Sequence, residues 1–313
     1  MGDDRATLER LVSFLETNAA VAAKVRIQDA YRPAQSLAGA VRVGDDCAAI
    51  PDASGFLLFA AEGMLESFVS NDPWFAGYCA VMVNLSDIAA MGGRSLAIVD
   101  VLWTPGLSDS ADVWDGMAAA SRAYGVPLVG GHTTITSGGN AFLAAAVLGK
   151  AHKLITSFEA RSNDDLLMAV DLRGSYRREQ PFWNASVGAP PQRLRKDLEL
   201  LPAIAEREWC RAGKDISNGG VIGTLSMLLE CSEVGAELWL DRLPRPVDVA
   251  LERWMISFPS FGYLLSVSPE HSSETIALFN ESGIACALVG QLTASQSLAL
   301  SYGSAREVFR PKI

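Results

Sequence analysis

The stretch Val81-Met82-Val83-Asn84-Leu85-Ser86-Asp87-Ile88-Ala89-Ala90-Met91-Gly92-Gly93 decides how the chain is read. It has the character of the second half of a helix that is apolar nearly all round, the mark of a buried helix. Pro73 is placed to open that helix, at a position where its missing N–H costs nothing. Two polar residues interrupt the apolar surface. Asn84 and Asp87 stand three apart and so share one face, and Asp87 is the only charge between Asp72 and Arg94. A carboxylate on such a helix is costly unless it is paired, hydrogen-bonded or bound to a cation. The choice lies between an ion pair, with Arg94 as candidate partner, and a metal–phosphate site on which other acidic loops converge. Asn84 on the same face favours the second.

Outward from this helix the first half alternates strands and helices. Apolar runs at Phe56 to Ala61, Leu96 to Trp103, Val126 to Val129 and Ala141 to Gly149 read as strands. Ser108 to Tyr124 reads as a helix with Ser108 or Asp109 as N-cap and Gly125 at its end. Thr7 to Lys24 has helical spacing, with Leu8, Leu11, Val12 and Leu15 on one face. Val41 to Ile50 is a strand-like run broken by an acidic turn. In the second half the strands are Leu166 to Val170, Ala236 to Leu240, Phe261 to Val267, Ala285 to Gly290 and Ser297 to Tyr302. Gln192 to Arg211, Val221 to Cys231 and Pro269 to Ser282 read as helices, and Arg173 to Pro191 as a long loop. The pattern predicts an α/β (α+β) protein of two domains, residues 1–150 and 151–313, as the length of 313 residues suggests.

The net charge of −10 argues against a nucleic-acid binder, which needs clustered Lys and Arg. It leaves room for a phosphate ligand whose charge is met by divalent cations. Five scattered cysteines without a C-x-x-C pair fit buried thiols in a reduced, cytoplasmic setting. The first ten residues do not resemble a secretory signal. No apolar run is long enough to span a membrane.

Four more segments are candidates for chemistry. Gly44-Asp45-Asp46 follows a strand and carries two adjacent carboxylates, of which an extended backbone turns one toward any given site. Taken alone it reads as a solvated turn, and Glu62 alone as an exposed strand end. Gly130-Gly131-His132-Thr133-Thr134 opens a loop running to Gly139, rich in glycine and hydroxyls, whose successive N–H groups can cradle an anion. It is no Walker loop, and alone it reads as a flexible turn. Asp215-Ile216-Ser217-Asn218-Gly219-Gly220 precedes a helix. Asp215 or Ser217 either caps that helix or leaves its N–H groups to face a phosphate.

The order of these segments resembles the aminoimidazole ribonucleotide (AIR) synthetase superfamily, which includes thiamine-monophosphate kinase, selenophosphate synthetase and a hydrogenase-maturation protein. Asn84-Leu85-Ser86-Asp87-Ile88-Ala89-Ala90-Met91-Gly92 is its most specific part, and the kinase is the relative it is most similar to. The resemblance implies an AIR synthase-like fold. Its N-terminal domain, a mixed sheet with helices, pairs with a second copy into a homodimer, and a C-terminal α+β domain closes over the cleft. It implies ATP and Mg²⁺ as cofactors. Asp45, Asp46, Glu62, Asp87 and Asp215 would be the metal set, and Asn84, Gly130, Gly131, Ser217 and Asn218 would lie along the nucleotide. Asp46, Asp87 and His132 are the candidate catalytic residues. The implied activity is phosphorylation or activation of a small molecule, with no membrane or nucleic-acid partner. The rival reading is a nucleotide-binding or scaffold protein of the same fold that has lost catalysis.

The chain departs from the kinase pattern at four positions. Glu62 with Ala60 and Ala61 replaces a T-D-T, His132 and Asn218 each replace an Asp, and Val69 falls where a substrate-contacting His is expected. Hard Mg²⁺ prefers oxygen ligands, so the departures predict fewer bound ions and a substrate other than thiamine phosphate. Specificity is expected in Arg173 to Pro191 and Phe258-Pro259-Ser260-Phe261-Gly262.

Overall fold

A computed structural model describes residues 2–24, 39, 41–178 and 180–310. The chain divides into two compact units: Asp46–Lys153 with Gly188–Ala203, and the described parts of Met1–Asp45 with Leu154–Val187 and Ile204–Ile313. The chain passes between them at Asp45–Asp46, Lys153–Leu154, Val187–Gly188 and Ala203–Ile204. Helix α1 (Gly2–Glu16) lies with the second unit, its apolar stripe of Leu8, Leu11 and Leu15 buried in that unit's core. It stops eight residues short of the expected Lys24. Asn18 accepts from the N–H groups of Ala20 and Val21, capping a new helix at residue 19.

The first unit is built on a five-stranded sheet: β1 (Ala48–Asp52), β2 (Gly55–Met64), β3 (Arg94–Thr104), β4 (Leu128–Ile135) and β5 (Phe142–Ala151), in the order β1-β2-β5-β3-β4. Only β3 and β4 are parallel, so a crossover helix must join them. That helix is α4 (Ala111–Tyr124), ended by Gly125 at φ +75°. Between β2 and β3 come α2 (Glu66–Asn71) and α3 (Pro73–Ala90). Every residue of α3 from Phe75 to Ala90 is buried, because α3 lies on β2, β5 and β3 and against α4. Its all-round apolar surface is thereby explained. Pro73 occupies the first helical turn. Gly92, at φ +74°, ends the helix, with its N–H donating to Ala89 and that of Gly93 to Ile88. The helices cross closely: a side chain at Gly77 would strike the Val113 carbonyl, and one at Gly116 the Trp74 carbonyl. The segment Gly188–Ala203 contributes α5 (Pro191–Leu198), which packs on α4.

Two expectations are corrected in this region. Gly130 to Ile135 is strand β4 rather than loop. As an edge strand, with Gly131 and His132 both exposed, it lacks the alternation by which strands are recognised. The helix expected over Gln192 to Arg211 is two short helices, α5 and α6 (Leu200–Glu206), followed by strand β9 (Cys210–Asp215). Pro202 tolerates only a helix's first turn, so it sits near the start of α6.

The second unit carries a seven-stranded sheet. Its strands are β6 (Asp165–Val170), β9, β10 (Gly235–Trp239), β12 (Gly262–Val267), β13 (Ala285–Thr293), β14 (Leu298–Tyr302) and β15 (Ala305–Val308), ordered β15-β14-β10-β13-β6-β12-β9. Helices α7 (Gly220–Ser232) and α1 supply the apolar side chains that fill its core with Leu166, Met168 and Leu264. The expected loop from Arg173 to Pro191 contains β7 (Ser175–Tyr176) and β8 (Phe182–Asn184). Strand β8 pairs with β11 (Phe258–Pro259), so the two segments expected to set specificity form one three-stranded sheet.

Candidate functional site

In the first unit, register gathers the sequence candidates. Glu62 of β2, Ala145 of β5, Asp100 of β3 and Gly131 of β4 are consecutive partners across four strands. Partners in register share a face. Here it is the face toward α3, since Leu58 and Ala60 on β2, Ile98 and Leu102 on β3, and Leu143 and Val147 on β5 alternate with this row and are buried. Asn84, on the overlying helix, donates its Nδ2 to the carbonyls of Ala80 (2.8 Å) and Ala145 (3.3 Å). Its amide therefore lies over the row. Asp87 follows one turn later on the same helix face, 7% exposed. The structure thus brings Glu62, Asn84 and Gly131 to one row. Arg94, the alternative partner for Asp87, forms an ion pair with Glu199 at 2.8 Å.

Asp100 was overlooked in the sequence, although a charge in the middle of Ala97-Ile98-Val99-Asp100-Val101-Leu102 was a usable signal. It is 1% exposed, and neither carboxylate oxygen has a hydrogen-bond partner. The Asn84 Oδ1 is in the same condition. Burial pushes the Asp100 carboxyl above its ordinary pKa. Asp100 also explains a glycine: any side chain at Gly131 would collide with Asp100 Oδ1. His132 stands opposite Val101, one residue along, and so belongs to the other, outer face of the sheet.

The remaining candidates fall in separate settings. Asp46 is half-buried in the turn before β1. Asp45 belongs to the second unit and is engaged there. Ser157 donates its N–H to Asp45 Oδ2 (3.0 Å) and its hydroxyl to Asp45 Oδ1 (2.6 Å), and the buried Lys214 ammonium donates to the same hydroxyl at 3.4 Å. Asp215 ends β9, 5% exposed. Ser217 N–H donates to Thr224 Oγ1, and Asn218 is exposed. Gly219 and Gly220, at φ +91° and +62°, take the chain from β9 into α7. A side chain at Gly220 would strike the Met255 carbonyl, so both left-handed positions require glycine. The loop delivers Ser217 and Asn218 to the start of a 13-residue helix, where free N–H groups favour anions. Val69 is core, at 1% exposure. Among the described residues no three His, Cys, Asp or Glu side chains are grouped closely enough to hold a metal ion.

Comparison with known proteins bears on the family and the fold. The family described as AIR synthase related protein, N-terminal domain, matches residues 44–151, and its C-terminal domain counterpart matches residues 128–303. An uncharacterised protein of Synechocystis sp. is 45% identical over 96% of this chain and 95% of its own length. The thiamine-monophosphate kinase of Synechococcus elongatus is 24% identical over 88% of this chain and 90% of its own. Among solved structures, T. maritima PurL complexed with ATP matches with a TM-score of 0.73 at 20% identity. That match covers 85% of this chain but only 45% of PurL, so it bears on the fold. On the two domain matches and the extent of the first relative, the chain belongs to the AIR synthase related protein family.

Proposed function

We propose that the protein is an ATP- and Mg²⁺-dependent enzyme that phosphorylates or otherwise activates a small molecule. The observation that carries the reading is the polar row under α3: Glu62, Asn84 and Asp100 set into an otherwise apolar layer, beside the backbone of Gly130 and Gly131. Unsatisfied buried oxygens are costly and are kept where a ligand completes them. The donors fit a hard cation, since the first unit's candidates Asp46, Glu62 and Asp87 all offer oxygen. Of the adjacent pair, Asp46 is the one assigned to metal, because it belongs to the same unit as Glu62 and Asp87. Such an ion would neutralise phosphate charge. Of the chain's own groups in this unit, the backbone of Gly130, on the edge strand with no side chain in the way, would let a phosphate approach closely. His132 faces the other side of the sheet from this row, so a hydrogen bond from it to a phosphate oxygen would be made at the outer face.

ATP use is supported by the complex named for PurL and by the kinase relative. The buried Val69 supports a substrate other than thiamine phosphate, selected by the sheet of β7, β8 and β11. A homodimer is supported by the outer face of the five-stranded sheet. There Ile50, Phe59, Val99, Trp103, Phe142 and Leu148 are exposed together, a larger apolar surface than monomers usually show. The five cysteines are all free thiols, as suits the cytoplasm, and no described helix is long and apolar enough to cross a membrane. The test is ADP release from ATP with Mg²⁺ across a panel of small phosphate-accepting molecules. Turnover dependent on one of them supports the enzyme. Saturable binding of a non-hydrolysable ATP analogue with no turnover would favour the non-catalytic alternative, for which His132 and Asn218 in place of carboxylates argue.

A further inference from the structure

Positive charge is scarce in this chain, with 26 lysines and arginines against 36 acids. Arg94, Arg173 and Arg306 each meet a carboxylate within 3.0 Å. Arg253 does not. It lies half-buried on the short helix α8 (Leu251–Met255), with its guanidinium carbon 3.8 Å from the centre of the Tyr176 ring. Among the described residues none accepts a hydrogen bond from that guanidinium or forms an ion pair with it. A ring face offsets part of the charge but takes up no N–H in an ordinary hydrogen bond, so the fork of donors is left for an acceptor outside the chain. The stack is braced. Ser257 donates its hydroxyl to the Arg253 carbonyl at 2.7 Å, so its one proton is used, and the 2.5 Å contact between Tyr176 and Ser257 is a bond donated by the tyrosine. The Tyr176 ring meets buried Trp183 edge to face at 5.2 Å, and Trp183 meets Trp254, the next residue in α8, at 5.5 Å. The neighbouring Glu252 carboxylate is turned to Arg10 at 3.5 Å and leaves Arg253 unneutralised.

We propose that Arg253 is a specificity-determining residue that takes an oxyanion of the substrate, a carboxylate or a phosphate group, on its Tyr176-backed guanidinium. A planar guanidinium held against a ring is preorganised for two parallel bonds to such a group, and its charge turns away a cationic one. Its place in the fold suits a small-molecule site. Tyr176 belongs to β7, and Ser257 directly precedes β11, so the arginine is fixed to the three-stranded sheet to which substrate selection is assigned. Helix α8 ends at Met255, whose carbonyl occupies the space that a side chain at Gly220 would need. The helix therefore lies against the turn from β9 into α7. The inference rests on the reading of the protein as an enzyme acting on a small molecule, and it adds that this molecule is an anion. Binding of the oxyanion by itself needs neither ATP nor Mg²⁺.

The test is an NMR titration of the isotope-labelled full chain, without ATP or Mg²⁺, by sodium phosphate and by sodium acetate, with sodium chloride at equal ionic strength as the control. The signals read are the Arg253 Nε–H and the Ser257 amide. The expected result is a saturable shift of both with phosphate or acetate and none with chloride. Tighter binding of phosphate marks a phosphorylated substrate, tighter binding of acetate a carboxylic acid, and either supports the assignment. Arg253→Gln removes the charge, and half-saturation read at Ser257 should rise about tenfold or more, as loss of a charge-assisted hydrogen bond implies. Tyr176→Leu should raise it as well, and Tyr176→Phe, which keeps the ring, should restore it, marking Tyr176 as a positioning residue. Wild-type signals that move no more with phosphate or acetate than with chloride overturn the proposal, as does an Arg253→Gln protein with wild-type half-saturation. Should that variant not fold, the wild-type Arg253 Nε–H signal decides alone, since it reports the guanidinium directly. ADP release driven by an uncharged acceptor would overturn this assignment and keep the enzyme. A saturable shift at Arg253 with no turnover on any acceptor would do the reverse.

Discussion

Asp100→Asn changes one atom and removes a buried charge, so its effect separates electrostatics from shape. Because burial holds this carboxyl's pKa above its unfolded value, the folded protein binds the proton more tightly. Stability is then fully present below the unfolded pKa of about 3.9 and falls as pH rises through the folded value. In EDTA the asparagine variant should melt above wild type at pH 7, and the difference should close below about pH 4. Unfolding scans at several pH values check this, and a gap that widens toward acid would contradict it. At Ser157 the expectation is opposite in sign. Its hydroxyl and N–H both donate to Asp45, and hydrogen bonds to charged groups are worth about 1.5–3 kcal/mol. Ser157→Ala keeps only the N–H bond and should lower denaturant stability by about 2 kcal/mol. The same variant tests whether Asp45 is a structural carboxylate: nucleotide affinity should be unchanged.

Between α3 and α4 the two glycines allow backbones to touch. Gly116→Ala adds a single methyl, but it must fit against the Trp74 carbonyl, which belongs to a buried helix and cannot swing aside. Overpacking of that kind costs about 1–3 kcal/mol, despite the better helix propensity of alanine. Chemical denaturation of the variant measures the loss, and a gain in stability would mean that the helices can part without cost. At this scale the sequence was legible wherever one physical rule dominated. The burial of α3 followed from its all-round apolar surface, the start of α3 from Pro73 and the end of α4 from Gly125. The strands that were missed obey no single rule. β4 exposes both faces at an edge. β9, Cys-Arg-Ala-Gly-Lys-Asp, reads as polar yet buries Lys214 and Asp215 through its neighbours. Asp100 was hidden in a run whose average is apolar, and its meaning lies in the partners that register gives it, which no local window contains.

For the whole molecule the open quantity is the number of chains in solution. The outer face of the five-stranded sheet presents Phe59, Val99, Trp103, Phe142 and Leu148 as one apolar surface, although alternation in antiparallel sheets would normally place polar residues there. Each apolar side chain left in water forgoes roughly 1.5–3 kcal/mol of burial, a strong incentive to cover the face. A stable interface needs about 800 Å² from each partner, the scale of a four- or five-stranded sheet face. Trp103 is the natural anchor, since it lies toward one end of this face and is 39% exposed, and tryptophan dominates interface energetics. Trp103→Lys should therefore convert a dimer into a monomer by light scattering while leaving the far-ultraviolet circular dichroism unchanged. The core behind that face, held by Ile98 and Leu102 on the opposite side of the same strand, is not touched by the change. His132 shares the outer face with Trp103, so the same variant should also weaken nucleotide binding if the pairing completes the site. A wild-type protein that sediments as a monomer at all concentrations would remove the dimer from the proposal, but the polar row under α3 would remain, because every residue of it comes from a single copy.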